Sequence, residues 1–376
     1  MGREGRQRAV AVASYASLAL LGLTGFVPSL IRGIESDFGQ SDAGMGLFYF
    51  LVASAYVAGS FGTGLLAGRL SRKTILVAAL LLQAIGFAIQ ATTSSWILFL
   101  VTGAARGFST GAIEAGVNAL FIDLYPASRG RALSLVHLAF SVGAFVSPLA
   151  VGVLSDAGVP WQAFFGAAAV PWIVVAGAFA VSRLPTTPLP GTPRESAVRP
   201  NLTLALLTLA IGCYVAAEVG VASWLVRFLS DLPLVVATQA LSLFWVGLTL
   251  GRLASAILAN RFDPLPFATV ASVLGSLALV GAVLVPVFPV ALILYGVAGI
   301  GFGPVYPLVF AIAGRLFPDR SSSVSGFLTG SAVIGAIVYP PLMGVVSVSY
   351  GLTPAMLGTA GLGFGCAIAL LLLRRA

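Results

Sequence analysis

Stretches of about twenty apolar residues follow one another along the whole chain, separated by short polar or basic connections. A helix rises ~1.5 Å per residue, so ~20 apolar residues cross the ~30 Å hydrocarbon core of a bilayer. A barrel strand would alternate in polarity and end after about ten residues. Run length therefore predicts twelve membrane-spanning helices, over 9–32, 44–70, 73–93, 95–123, 131–155, 161–182, 202–229, 235–260, 265–286, 288–315, 321–348 and 351–373.

One connection is long. Leu184–Pro200 (LPTTPLPGTPRESAVRP) is rich in Pro, Thr and Arg and divides the spans six and six. It reads as a linker between an N-terminal bundle, 1–183, and a C-terminal bundle, 201–376. The halves also repeat. Gly143, Pro148 and Gly152 in the fifth span return 192 positions later as Gly335, Pro340 and Gly344 in the eleventh. The same offset joins Gly59 to Gly251, Arg69 to Arg261, Gly107 to Gly299, Gly111 to Gly303 and Pro126 to Pro318. A repeat of six spans inserts both copies in the same orientation, as in two-bundle transporters. The expected fold is an all-α membrane protein, with two six-helix bundles related by a pseudo-twofold axis.

Composition narrows the class further. The chain is 59% hydrophobic and 9% charged, with a mean hydropathy of +1.03, whereas a soluble domain carries roughly 25% charged residues. A net charge of +8 would suit a nucleic-acid binder, but the basic residues form short clusters between spans and no basic domain. No nucleic-acid partner is expected. The clusters report orientation instead. Loops on one side carry Arg3, Arg6, Arg8, Arg69, Arg72, Lys73, Arg129, Arg131, Arg183, Arg194, Arg199, Arg261, Arg315, Arg320, Arg374 and Arg375. The other side carries Arg32 and Arg227 against Glu35, Asp37, Asp42, Asp156 and Asp231. Both termini are thus expected in the cytoplasm, in a plasma (inner) membrane. MGREGRQR reads as the start of an uncleaved first span. Arg6 stands where a myristoylation motif needs Ser or Thr. Cys213 and Cys366 lie inside apolar runs, and a single His builds no metal centre alone, so neither a disulfide framework nor a metal is expected.

The ionisable residues within spans are few: Arg106, Glu114, His137, Glu218 and Arg252. A charge at the centre of a membrane helix costs ~2.5–3.5 kcal/mol or more, so each must face protein or water. At about 100° per residue, Gly103, Gly107, Gly111, Glu114 and Asn118 share one helix face. Three glycines there admit a neighbouring backbone. Glu114 is a candidate for substrate binding or proton uptake, with a salt bridge to Arg106 or a helix cap as the alternative. Asn118 suits a sugar hydroxyl or a helix–helix hydrogen bond. Arg106 is expected to pair with a membrane acid. Histidine changes charge nearest neutral pH, which makes His137 a candidate relay, or else a packed hydrogen-bonding residue. Glu218 gives the second half its own acid, and the alternative is a salt bridge to Arg252, about 10 Å away in depth by span counting. Arg252 shares a face with Trp245, Thr249 and Ser255 and would hold an anion or lock a gate. Tyr306 stands 192 positions after Glu114 and is expected to face the same cavity from the other half. Tyr339 and Trp224 are weaker aromatic candidates. Gly299, Gly301, Gly303, Pro304 and Pro307 predict a broken or bent tenth span.

The loop after the second span, GLLAGRLSRKT, resembles the signature loop of the major facilitator superfamily. Gly64, Arg69, Arg72 and Lys73 match it; Gly68 and Ser71 replace its Asp and second Gly. The resemblance implies a cytoplasmic gate loop that lacks its usual acid. GAIEAGVNAL, RGRALSLVHLAFSVGAFVSPLAVG, YVAAEVG and GFGPVYP look like the fucose/hexose:proton symporter branch. Members of that branch often carry an acid in the first span, and VASYASLALLGLTGFVPSL has none.

Two acids against two arginines leave the set near neutral, which favours a neutral solute. The expectation is a monomeric secondary transporter that moves a neutral sugar with protons by alternating access. Its partners are a small-molecule substrate and the lipid bilayer. It uses no cofactor beyond the coupling ion, H+ or alternatively Na+. The rivals are a proton-coupled exporter of drugs or metabolites, a carrier of organic anions held by Arg106 and Arg252, and a membrane receptor that moves nothing. No phosphate-cradling Gly-x-x-x-x-Gly-Lys loop or nucleophile motif supports an ATP-driven pump or an enzyme.

Overall fold

The computed structural model describes residues 3–66, 69–125, 129–182, 184, 201–258 and 261–374. Among these the regular structure is helical throughout. Helices α1 (Arg3–Leu23), α2 (Val27–Phe38), α3 (Asp42–Leu66), α4 (Arg72–Thr92), α5 (Trp96–Leu124), α6 (Arg129–Asp156) and α7 (Trp161–Val181) precede the linker. They are followed by α8 (Leu202–Phe228), α9 (Leu234–Leu258), α10 (Pro264–Leu284), α11 (Phe288–Phe302), α12 (Val305–Leu316), α13 (Ser321–Tyr350) and α14 (Leu352–Leu373). Eleven helices are long and apolar enough to cross a membrane, or twelve when α1 and α2 count as one bent span. The chain is a multi-pass membrane protein.

Local chemistry sets the helix ends. Ser71, Ser95, Asn201 and Asp263 each accept a backbone N–H with the side chain at the start of α4, α5, α8 and α10. Gly39, at φ 59, closes α2 in the left-handed conformation that L side chains resist. Two spans are broken. The tenth splits between Phe302 and Val305, at the Gly303–Pro304 pair that the sequence marked.

The first span departs from expectation. It does not stop at 32 but bends by 48° after Leu23 and continues as α2 to Phe38. Gly25 and Pro28 were the signal: Pro28 sits in the first turn of α2, where its missing N–H costs nothing. Arg32, Glu35 and Asp37, read as loop charges, are therefore helical. Glu35 is buried, and Asp37 accepts hydrogen bonds from Trp161 Nε1 (2.7 Å) and Gln162 Nε2 (2.9 Å).

The chain forms two compact units. Unit 1 comprises Met1–Gln40 and Leu47–Leu189; unit 2 comprises Ser41–Gly46 and Pro190–Ala376. The expected linker, 184–200, lies outside the described residues apart from Leu184. Ser41–Gly46, which the sequence put with the first bundle, group with unit 2, where Arg227 Nε donates to Asp42 Oδ1 at 2.8 Å.

Within each unit the 192-residue repeat is a repeat of contacts. A Cβ on Gly59, Gly107 or Gly111 would collide with the carbonyl oxygen of Phe108, Val52 or Tyr56. A Cβ on Gly251, Gly299 or Gly303 would collide with that of Ile300, Phe244 or Leu248, each 192 positions later. The α3/α5 and α9/α11 seams are thus backbone against backbone.

Candidate functional site

In unit 1 the glycine face of α5 carries Glu114 and Asn118 to the α3 seam. Tyr56 Oη donates to Glu114 Oε2 at 3.0 Å, and Ser60 Oγ to the Gly111 carbonyl at 3.3 Å. Among the described residues, Tyr56 is the one hydrogen-bond partner of the Glu114 carboxylate, and no cation pairs with it. Asn118 Oδ1 is buried without a hydrogen bond. The sequence reading did not single out Tyr56, although Tyr56 and Ser60 are polar positions one turn apart inside an apolar span.

Arg106 takes a different place from the one expected. It is 9% exposed and packs away from the α3 seam, against α4 and α7. Its Nη1 donates to Gln90 Oε1 at 2.7 Å, and its guanidinium carbon lies 3.5 Å from the ring centre of Phe87 and 5.7 Å from that of Phe165. A Cβ on Gly86 would meet the Arg106 stem at 2.5 Å, so the glycine makes room for it. The expected membrane acid is therefore replaced by an amide and two rings, and Glu114 is not its partner among the described residues. An aromatic face and a charge-assisted hydrogen bond suit a cation withdrawn from water. A neutral Gln inside an apolar span gave no such signal in the sequence.

His137 lies on α6, half-buried. One stripe of that helix, Val136, Phe140, Gly143, Ser147 and Val151, is covered or nearly so; another, Leu135, Leu138, Val142, Leu149 and Val153, is exposed and apolar. His137 occupies the third stripe with Ser141 and Pro148. Its ring makes no hydrogen bond among the described residues; its carbonyl accepts from Ser141 Oγ at 3.2 Å.

In unit 2, Arg252 Nη2 donates to Glu218 Oε1 at 2.9 Å. The depth gap inferred from span counting does not keep them apart. Side chains lean toward the N-terminus of their own helix. The two helices run antiparallel, so Glu218 leans one way, Arg252 the other, and they meet. Tyr214, one turn before Glu218, is fully buried and lies within electrostatic reach of both. Its ring centre is 6.1 Å from that of Tyr306, which in turn lies 4.9 Å from Phe310. The structure thus gathers Glu218, Arg252 and Tyr306 around Tyr214. Trp224 and Tyr339 lie elsewhere: Trp224 Nε1 donates to the Pro340 carbonyl (2.9 Å), and Tyr339 Oη to the Ala355 carbonyl (2.7 Å). Both are helix ties.

The gate-loop residues form a polar edge. Gly64 and Arg69 are exposed, and Lys73 is half-buried. Arg72 pairs with Asp123 at the far end of α5. Ser71, one of the two departures from the signature, caps α4 by accepting from the Thr74 N–H at 3.0 Å. Gly68 lies outside the described residues. In unit 2 Asp263 caps α10 and pairs with Arg315 at 3.3 Å. No group of three or more His, Cys, Asp or Glu residues is placed to hold a metal ion among the described residues.

The profile of the Major Facilitator Superfamily matches residues 12–327 and 236–376. The chain belongs to that superfamily. It is similar to a glucose/galactose transporter of Brucella abortus, 27% identical over 362 residues that cover 88% of this chain and 84% of the relative. It also resembles an uncharacterized MFS-type transporter, YfkL, of Bacillus subtilis, at 24% identity over 80% of this chain and 81% of the relative. A sodium-dependent glucose transporter 1A of Mus musculus matches at 23% identity over 35% of this chain and 30% of its own length. Among solved structures, a bacterial homologue of the human lysosomal transporter Spinster superposes with a TM-score of 0.82 at 17% identity, covering 99% of this chain and 97% of that one. The nucleoside transporter NupG gives 0.76 at 14% identity, covering 99% of both chains. As a Major Facilitator Superfamily protein the chain is a membrane transporter of small molecules and not an enzyme.

Proposed function

We propose that this transporter carries a neutral sugar together with a proton, by alternating access, and works as a monomer. The observation that carries this reading is the Glu114–Tyr56 hydrogen bond. Here a membrane carboxylate has a hydroxyl for its partner and, among the described residues, no cation. Protonation of Glu114 leaves no uncompensated positive charge behind, and Tyr56 serves either form as donor or acceptor. In unit 2 the acid is neutralised by Arg252. Arg106 is committed to Gln90 and Phe87, which weakens the case for an organic anion clamped by two arginines. In unit 1 the Glu114 carboxylate, the Tyr56 and Ser60 hydroxyls and the Asn118 amide make a polar set that suits a sugar. The similarity to a glucose/galactose transporter over most of both chains supports the same substrate class.

The basic loop residues favour a plasma (inner) membrane orientation with both termini in the cytoplasm, and Arg69, Arg72 and Lys73 as the inner gate loop. Two six-helix halves joined through 184–200 would move against each other. No cofactor takes part beyond the coupling ion.

The test uses proteoliposomes with an imposed pH gradient. Glu114→Gln is expected to abolish gradient-driven accumulation of labelled hexose while counterflow persists. Accumulation at the level of the unaltered protein in Glu114→Gln refutes the coupling role. A second reading, sodium as the coupling ion, is favoured by the partial similarity to a sodium-dependent glucose transporter. A sodium gradient without a pH gradient separates the two.

A further inference from the structure

We propose that the seam between α1 and α7 holds one acyl chain of a bilayer lipid. A cavity of about 500 Å³ opens there, lined by Ala16, Ala19 and Leu20 of α1 and by Val170, Pro171 and Val174 of α7. No polar atom reaches its surface. Its lining lies in the middle of both spans, at hydrocarbon depth.

The groove is not a general consequence of the fold. In unit 2 the corresponding seam, α8 against α14, is closed. Val174 is 65% exposed, whereas Gly365, which holds the matching place in the burial pattern of α14, is half-buried. Cys213 Sγ stands 3.5 Å from the place a Cβ on Gly365 would occupy. In unit 1, Pro171 interrupts the regular packing of α7, and the small side chains of Ala16 and Ala19 leave the space beside it unfilled.

The chemistry of the wall selects the occupant. A water molecule needs two or more polar partners, and this wall offers none. A sugar would leave its hydroxyls unsatisfied, and a headgroup does not reach mid-bilayer. Left empty, the lining would forfeit its dispersion contacts. The residues around the mouth, Val12, Val170 and Ile173, are 67%, 61% and 56% exposed, so the groove opens onto the lipid tails themselves. Leu20, in its floor, lies one turn before the break between α1 and α2. The bound tail therefore braces α1 beside its bend. This inference rests on the membrane placement alone and not on the substrate.

The test is photolabelling of the full chain in phosphatidylcholine vesicles that contain a small fraction of phospholipid with a mid-chain diazirine. Peptide mass spectrometry is expected to place adducts on Ala16, Leu20 and Val174 several-fold above those on Ile293 and Val338, exposed residues of α11 and α13. Ala16→Phe, which fills the groove, is expected to reduce them to the level of Ile293. Ala19→Leu makes the same test with a smaller side chain should the first variant fail to fold. Equal labelling at groove and control positions overturns the proposal. So does groove labelling that survives both variants, or labelling by an apolar diazirine without a headgroup when the phospholipid gives none.

Discussion

Asp123 and Arg315 stand 192 positions apart and hold the same kind of interhelical ion pair with the charges exchanged. Asp123, at the end of α5, takes Arg72 from the start of α4. Arg315, at the end of α12, takes Asp263 from the start of α10. The first pair is 18% and 14% exposed, the second 63% and 57%. Arg72→Asp alone is expected to lower stability by roughly 1–2 kcal/mol, and Arg72→Asp with Asp123→Arg to regain most of it. The Asp263–Arg315 cycle should give a coupling below about 0.5 kcal/mol. Thermal unfolding in detergent checks both, and a stronger coupling at the exposed pair would refute the ranking.

Glu218 and Arg252 hold each other inside unit 2, where a lone charge is costly. Glu218→Gln or Arg252→Gln alone should destabilise by about 1–3 kcal/mol, less than a fully dry pair because Arg252 is 36% exposed. Glu218→Gln with Arg252→Gln should lose less than the worse single change. The midpoint of unfolding against temperature reads this directly. Additive losses would mean that the two side chains do not depend on each other.

Arg106 is predicted to matter for folding and not for recognition. Arg106→Lys keeps the charge but loses the stack on Phe87 and the planar donor to Gln90, a loss of roughly 1–3 kcal/mol. The affinity for hexose, measured by counterflow at a temperature where the variant is folded, should stay within twofold. A tenfold rise in the apparent constant would return Arg106 to the substrate site.

The glycines separate into two groups. Gly111→Ala and Gly303→Ala press a methyl group onto a facing carbonyl and should cost about 1–3 kcal/mol each. Gly330→Ala, on α13 with nothing within 4 Å of the new atom, should be neutral or stabilising by up to about 1 kcal/mol. Expression and unfolding midpoints of the three variants decide. Equal behaviour would show that the seams tolerate relaxation.

Span ends were legible because a charge or a capping residue ends an apolar run in the membrane. Ser71, Ser95, Asn201 and Asp263 punctuate the chain within a residue or two of the expected starts. The repeat was legible because glycine seams need glycine at fixed spacing. The course of the first span was not: Arg32, Glu35 and Asp37 imitate a loop, and only Gly25 and Pro28 hint at the bend. Partner choice was hidden for a similar reason. Gln90 and Tyr56 are neutral, so a search for opposite charges passes over them. The Glu218–Arg252 contact depends on the lean of side chains, which residue counting omits.

The backbone-to-backbone seams have one more consequence. Interfaces built on side chains can slide by changing rotamers, but α3 on α5, and α9 on α11, have no intervening atoms to reorient. Each couple therefore travels as a single plank. Bending during a transport cycle then gathers where the helical ladder is already interrupted, at Thr24–Phe26, at Gly303–Pro304 and at the prolines inside α6, α7 and α13.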